Sequence, residues 1–356
     1  MLIFTLLLCF IISFAITPLI IKLALKIGAT DKPSQRKVHL KVMPRLGGLA
    51  IFISFIVGVL IISPDSSYHF WILVGASTIV LVGVLDDIYE LSAMKKVIGQ
   101  IIAALLVITF GGIQVEFINL PFGGVLEFGI LSVPITLFWI VAITNAINLI
   151  DGLDGLASGV TSIALITVAT MSFMMGNMYV FVFSLLLLFS ILGFIYYNFH
   201  PAKIFLGDTG SLFLGFMIAV LSLLGFKNIT LVALIVPMLI LAVPIIDTFF
   251  AIIRRRRNKV PFYIPDRSHF HHCLLDLGFT HRNTVLIIYS VSAGFGVAAI
   301  LFSMATVWGS LLIALVIVVI IELLVEYLGL VSKSYRPLLS LFKIYRSSPS
   351  YVYKRK

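Results

Sequence analysis

The sequence predicts an all-α polytopic membrane protein of about eleven transmembrane helices, with its amino terminus outside and its carboxyl terminus in the cytoplasm. Three observations carry that prediction. The chain is 61% hydrophobic and only 11% charged; its apolar residues fall into runs long enough to cross a bilayer; and its cations are confined to alternate connections between those runs.

The runs span residues 2–24, 46–63, 68–85, 97–114, 130–148, 155–175, 178–197, 205–225, 230–253, 283–306 and 308–329. Each is roughly the 18 to 24 residues that cover the hydrocarbon layer as helix. Barrel strands would be shorter and alternating, and only helices or closed barrels satisfy every backbone polar group in lipid. The first run lacks the basic start of a signal peptide and continues into Lys22 and Lys26, so it reads as a membrane helix.

With the amino terminus outside, the odd-numbered connections and the tail share one side and carry 24 of the 25 Lys and Arg; Lys227 alone falls opposite. Such an excess marks the cytoplasmic side. The net charge of +10 is thereby explained by sidedness and calls for no nucleic acid. Two cysteines, Cys9 and Cys273, suggest neither a disulfide framework nor a thiolate metal site. There is no repeat or linker. Residues 1–330 read as a single transmembrane domain and 331–356 as a basic cytoplasmic tail on the anionic inner leaflet.

Six aspartates fall at inner helix ends or connections: Asp86 and Asp87 after the third run, Asp151 and Asp154 after the fifth, Asp208 after the seventh, and Asp247 near the end of the ninth. Carboxylates at membrane depth are costly and mark function. Taken alone, Asp86-Asp87 is equally a solvated helix end; in company, the set suggests a cation. Magnesium favours one or two carboxylates combined with substrate phosphate oxygens, which suits scattered aspartates at a wet interface.

The stretch Asn145-Ala146-Ile147-Asn148-Leu149-Ile150-Asp151-Gly152-Leu153-Asp154-Gly155 joins tight-turn glycines to acceptors and donors, and lacks the other ligands of a calcium loop. Around Asn198 and Pro201, the turn Gly207-Asp208-Thr209-Gly210-Ser211 opens a helix and can offer N–H groups to phosphate, or act as a plain cap. In Arg267-Ser268-His269-Phe270-His271-His272 the spacing disfavours zinc, and the donors suit phosphate. The first inner loop, with His39 and Arg45, mixes cations and turn residues; either an anionic substrate or positive-inside bias accounts for it.

Together these motifs resemble the polyprenyl-phosphate N-acetylhexosamine-1-phosphate transferase family over almost the whole chain. The carriers are Arg36-Lys37-Val38-His39 with Pro44-Arg45-Leu46-Gly47-Gly48, Asp86-Asp87, the Asn148 to Gly155 stretch, Asn198 with Pro201-Ala202, Phe205 to Ser211, and Arg267 to His272. The interrupted histidine run favours the GlcNAc branch that starts wall teichoic acid synthesis.

The resemblance implies UDP-GlcNAc as donor, undecaprenyl phosphate as acceptor, magnesium or manganese as cofactor, and a cytoplasmic active site in the bacterial plasma membrane. A homodimer stays open. It further implies Asp86 and Asp87 as the catalytic pair and Asp208 with Asp154 at the metal. Asn148, Asp151, Asn198, Arg267, His269, His271, His272, His39 and Arg45 would contact substrate. Relatives carry a lysine after the paired aspartates; Lys95 and Lys96 are offset from its expected place. The rival reading is a secondary transporter, but those place ionisable groups near the midplane of repeated halves.

Overall fold

In a computed structural model, residues 1–31, 42–63, 66, 68–119, 124–225, 231–257, 259, 269–330 and 336–341 are described. The chain is an all-α polytopic membrane protein. In order, its helices are α1 (Leu2–Ile27), α2 (Gly47–Ile62), α3 (His69–Tyr89), α4 (Ala93–Leu105), α5 (Ser132–Ile150), α6 (Leu156–Met174) and α7 (Met178–Asn198). They are followed by α8 (Gly207–Gly225), α9 (Leu231–Ile240), α10 (Ala242–Arg257), α11 (Phe270–Asp276), α12 (His281–Met304), α13 (Val307–Leu328) and α14 (Pro337–Leu341). A π-helical segment, Leu106–Phe110, extends α4 to 18 residues, a 3-10 turn, Gly129–Leu131, leads into α5, and there are two short hairpins: Thr30–Asp31 pairs with Met43–Pro44, and Phe117–Asn119 with Val125–Glu127.

Each predicted run falls on a helix or a pair of helices. Among the described residues nine helices are long and apolar enough to cross a membrane. The remaining two runs differ for local reasons. Helix α2 has 16 residues, about 24 Å at 1.5 Å per residue, because its start is drawn into the site. The ninth run is broken at Leu241, between α9 and α10. Pro244 has no N–H for the carbonyl of Ile240 and its ring crowds that carbonyl, so the helix restarts after a single turn residue.

Helix α8 is the central post. It packs against α2, α3, α5, α6 and α7, and 94% of its membrane window is buried, against 22% for the peripheral α13. Small residues permit this crowding. A Cβ on Gly48 would lie 2.1 Å from the Gly210 backbone, and one on Gly83 would lie 2.4 Å from Thr209 Cα. The amino end of α8 is therefore clasped by α2 and α3, backbone against backbone. Two bonds knit the clasp, from Gly47 N to Phe205 O (3.1 Å) and from Gly48 N to Leu206 O (2.9 Å). Phe205 N donates in turn to Pro44 O.

Candidate active site

The clasp brings the carboxyl end of α3 against the amino end of α8. Asp87, a side chain with 0% exposure, accepts from Asp208 N (3.0 Å), Thr209 N (3.0 Å) and Thr209 Oγ1 (2.6 Å). These are free donors of the first turn of α8, and a carboxylate is the natural cap for them. Gly207 adopts φ 72°, and a Cβ there would strike the Asp87 carboxylate. Asp87 thus holds α8 in place.

Its neighbour Asp86 faces elsewhere. Lys96 on α4 reaches between two carboxylates, 3.3 Å from Asp86 Oδ2 and 2.8 Å from Asp208 Oδ2. Arg45 closes the other side, with Nε 3.4 Å from Asp87 and a terminal nitrogen 3.7 Å from Asp208. Burial works against the Arg45 charge, but Asp87 and Asp208 outweigh it and raise its pKa. Three carboxylates and two cations from four segments thus form one partly open cluster. Lys96 is the residue that the sequence left in doubt.

The turn between α5 and α6 borders this cluster. The Asp151 side chain makes no hydrogen bond or ion pair among the described residues, and its carboxyl is pushed up to about 8, first by burial and then by Asp208. A buried carboxyl with Asp208 and Asp87 among its charged neighbours fits a hard divalent cation that would relieve the repulsion. Asn148 Nδ2 donates to Ser211 Oγ at 2.8 Å, tying this turn to α8.

Asp154 has partners of its own. Its Oδ2 lies 2.8 Å from His200 Nδ1 and accepts from Ala202 N at 3.1 Å, while its backbone N–H donates to His281 Nε2 at 3.0 Å. The expected Asp154–Asp208 metal pair shares no hydrogen bond or ion pair among the described residues; imidazole and backbone groups surround the Asp154 carboxylate. Asn198 is also committed, accepting from Ser158 Oγ (2.8 Å) and donating to Ile204 O (3.0 Å). It is buried and shapes the 198–206 connection from within.

The histidines form a third group. His269 Nδ1 lies 2.9 Å from Asp247 Oδ2, and Phe270 N donates to Asp247 Oδ1 at 2.8 Å. This explains Asp247, which orients a histidine. The His269 and His271 rings run parallel at 6.0 Å, with His272 tilted against His271 at 4.2 Å. His271 lies over Gly152, where a Cβ would come 2.5 Å from its Nε2. Burial, with His272 beside it, pushes His271 down to about 3, so it is neutral. His39 and Arg267 lie outside the described residues.

Known proteins resemble this chain over most of its length. Residues 69–226, which contain Asp86, Asp87, Lys96, Asp151, Asp154 and Asp208, match the model of glycosyl transferase family 4. A probable undecaprenyl-phosphate N-acetylglucosaminyl 1-phosphate transferase of Bacillus subtilis is 46% identical over 331 residues, 92% of each chain. A decaprenyl-phosphate N-acetylglucosaminephosphotransferase of Mycolicibacterium smegmatis is 34% identical, covering 88% of this chain and 86% of its own. An undecaprenyl-phosphate alpha-N-acetylglucosaminyl 1-phosphate transferase of Salmonella typhi is 30% identical over 78% of each. With its membrane helices, its clustered charges and this breadth of likeness, the chain belongs to glycosyl transferase family 4.

Proposed function

We propose that this chain transfers GlcNAc-1-phosphate from UDP-GlcNAc to undecaprenyl phosphate at the cytoplasmic face of the bacterial plasma membrane. The products are undecaprenyl-diphospho-GlcNAc and UMP. The observation that carries the reading is the cluster of Asp86, Lys96, Asp208 and Arg45 at helix ends, in a chain 46% identical to a relative named for this chemistry. The interrupted histidine run supports the GlcNAc branch of the family, and wall teichoic acid is the polymer this product would begin.

Phosphoryl transfer is catalysed chiefly by positioning and charge neutralisation. Here Lys96 and Arg45 bridge the carboxylates, offset their mutual repulsion and offer positive charge to a diphosphate. Asp86, the less enclosed of the paired aspartates, orients the acceptor phosphate and takes its proton where one is present. Asp87 fixes Asp208. Asp208 and Asp151 would hold magnesium, or manganese, which neutralises diphosphate charge when bound. The neutral His271 offers a hydrogen bond without adding charge. One diphosphate linkage forms as another breaks, so the reaction is reversible.

The interrupted α9–α10 helix could suggest a transporter, since those use broken helices. Its break falls at Leu241 and Ala242, both buried and apolar. Purified protein given magnesium, undecaprenyl phosphate and UDP-GlcNAc should release UMP and form a labelled lipid, each dependent on both substrates. Substrate flux into sealed vesicles without UMP release would overturn the reading.

A further inference from the structure

Asp154, His200 and His281 come from three separate segments: the α5–α6 turn, the connection after α7, and the first residue of α12. They offer one ligand atom each, and these atoms lie within 4.8 Å of one another. Asp154 Oδ2 is 2.8 Å from His200 Nδ1 and 4.0 Å from His281 Nε2. The two imidazoles stack at 4.2 Å and 20°, their chelating nitrogens turned toward the same carboxylate. The three donors are thus within reach of one ion, which the two rings would meet by tilting so that it lies in both ring planes.

We propose that Asp154, His200 and His281 form a second cation site, distinct from the Asp208 cluster, that takes a borderline transition ion of the zinc class. The donor chemistry separates the two sites. Magnesium takes oxygen donors, whereas two imidazoles and one carboxylate suit zinc, cobalt or nickel. Tetrahedral bonds of about 2.0 to 2.1 Å place ligand atoms roughly 3.3 Å apart. The observed separations of 2.8 and 4.0 Å bracket that figure, so binding asks for shifts of about an ångström together with a tilt of the stacked rings.

His281 Nε2 accepts the Asp154 N–H. Its proton therefore sits on Nδ1, and a cation would take the Nε2 lone pair in place of that hydrogen bond. His200 is 41% exposed while Asp154 and His281 are 17% and 14%, which leaves an entry path and an outward position for water or another ligand. Occupancy would staple the α5–α6 turn, which also carries Asp151, to the 198–203 connection and to α12. The site does not depend on which substrate the protein uses.

The test uses purified full-length protein stripped with EDTA, then titrated with Co2+ as a spectroscopic substitute and with Zn2+ in a thermal-shift assay. One Co2+ per chain should bind with visible d–d bands typical of nitrogen ligation. Zn2+ should raise Tm, and excess Mg2+ should not displace it. His200→Ala and His281→Ala should each lose the bands and the shift, while Asp208→Asn and His272→Ala keep both. Absence of Co2+ bands in the folded wild-type protein would overturn the proposal. So would bands that survive in the His200→Ala/His281→Ala double variant, or bands lost with His272→Ala, because the ion would then belong elsewhere.

Discussion

The paired aspartates are adjacent in sequence, yet the structure gives them separate tasks that can be pulled apart experimentally. Asp87 is enclosed and accepts three hydrogen bonds from the first turn of α8, with Arg45 alongside. Truncation to Ala would leave two backbone N–H groups and a hydroxyl unpaired in a site closed to solvent. At roughly 1 to 3 kcal/mol for each buried group left unsatisfied, the local cost is on the order of 3 to 9 kcal/mol before relaxation. Asp87→Asn keeps one acceptor and turns an NH2 toward a donor, so a cost of about 2 to 3 kcal/mol is expected. Thr209→Val removes only the hydroxyl donor and should cost about 1 kcal/mol. Thermal unfolding in detergent should therefore rank wild type above Thr209→Val, then Asp87→Asn, then Asp87→Ala. Asp86→Asn should unfold close to wild type while losing UMP release. If Asp87→Asn instead unfolds with the wild type and is as inactive as Asp86→Asn, the capping argument is wrong and Asp87 acts on substrate directly.

Removing the Lys96 ammonium leaves Asp86 and Asp208 facing each other without it. Lys96→Met should lower UMP release on the order of 100-fold, about 2.7 kcal/mol, and Lys96→Arg should restore part of it. Divalent binding beside Asp151, whose carboxyl is held near 8, should release close to one proton per chain at pH 7. Calorimetry in buffers of different ionisation enthalpy reads this directly, and Asp151→Asn should abolish it. His271 has a folded pKa near 3, below the unfolded value of 6.5, so the unfolded chain binds the extra proton between those limits. Stability should then fall as pH drops from 6.5 toward 3, by about 2 kcal/mol at pH 5, and thermal unfolding of His271→Gln should show a weaker acid dependence. Gly48→Ala would drive a Cβ to 2.1 Å from Gly210 backbone, whereas one on Gly294 meets nothing within 4 Å; the first should eliminate the monodisperse folded fraction on size-exclusion chromatography and the second should not.

Apolar run length and cation placement alone determined the all-α membrane architecture, because a helix that crosses lipid satisfies its own backbone and needs only a long enough apolar stretch. Even the short α2 and the broken α9–α10 left marks in the sequence, as Gly47-Gly48 and Pro244. The grouping of the aspartates was decided by the tertiary structure. Consecutive helical residues point about 100° apart, so Asp87 turns into α8 while Asp86 meets Lys96, which becomes legible only once α4 folds back beside α3. Asp154 carries the same Asp-Gly signature as Asp151, yet the stacked rings of His200 and His281 claim it, and no local pattern announces such a meeting of distant residues. Sequence therefore fixes which segments cross the bilayer, a property of each segment alone, whereas carboxylate partnerships depend on distances between helix ends that only packing sets.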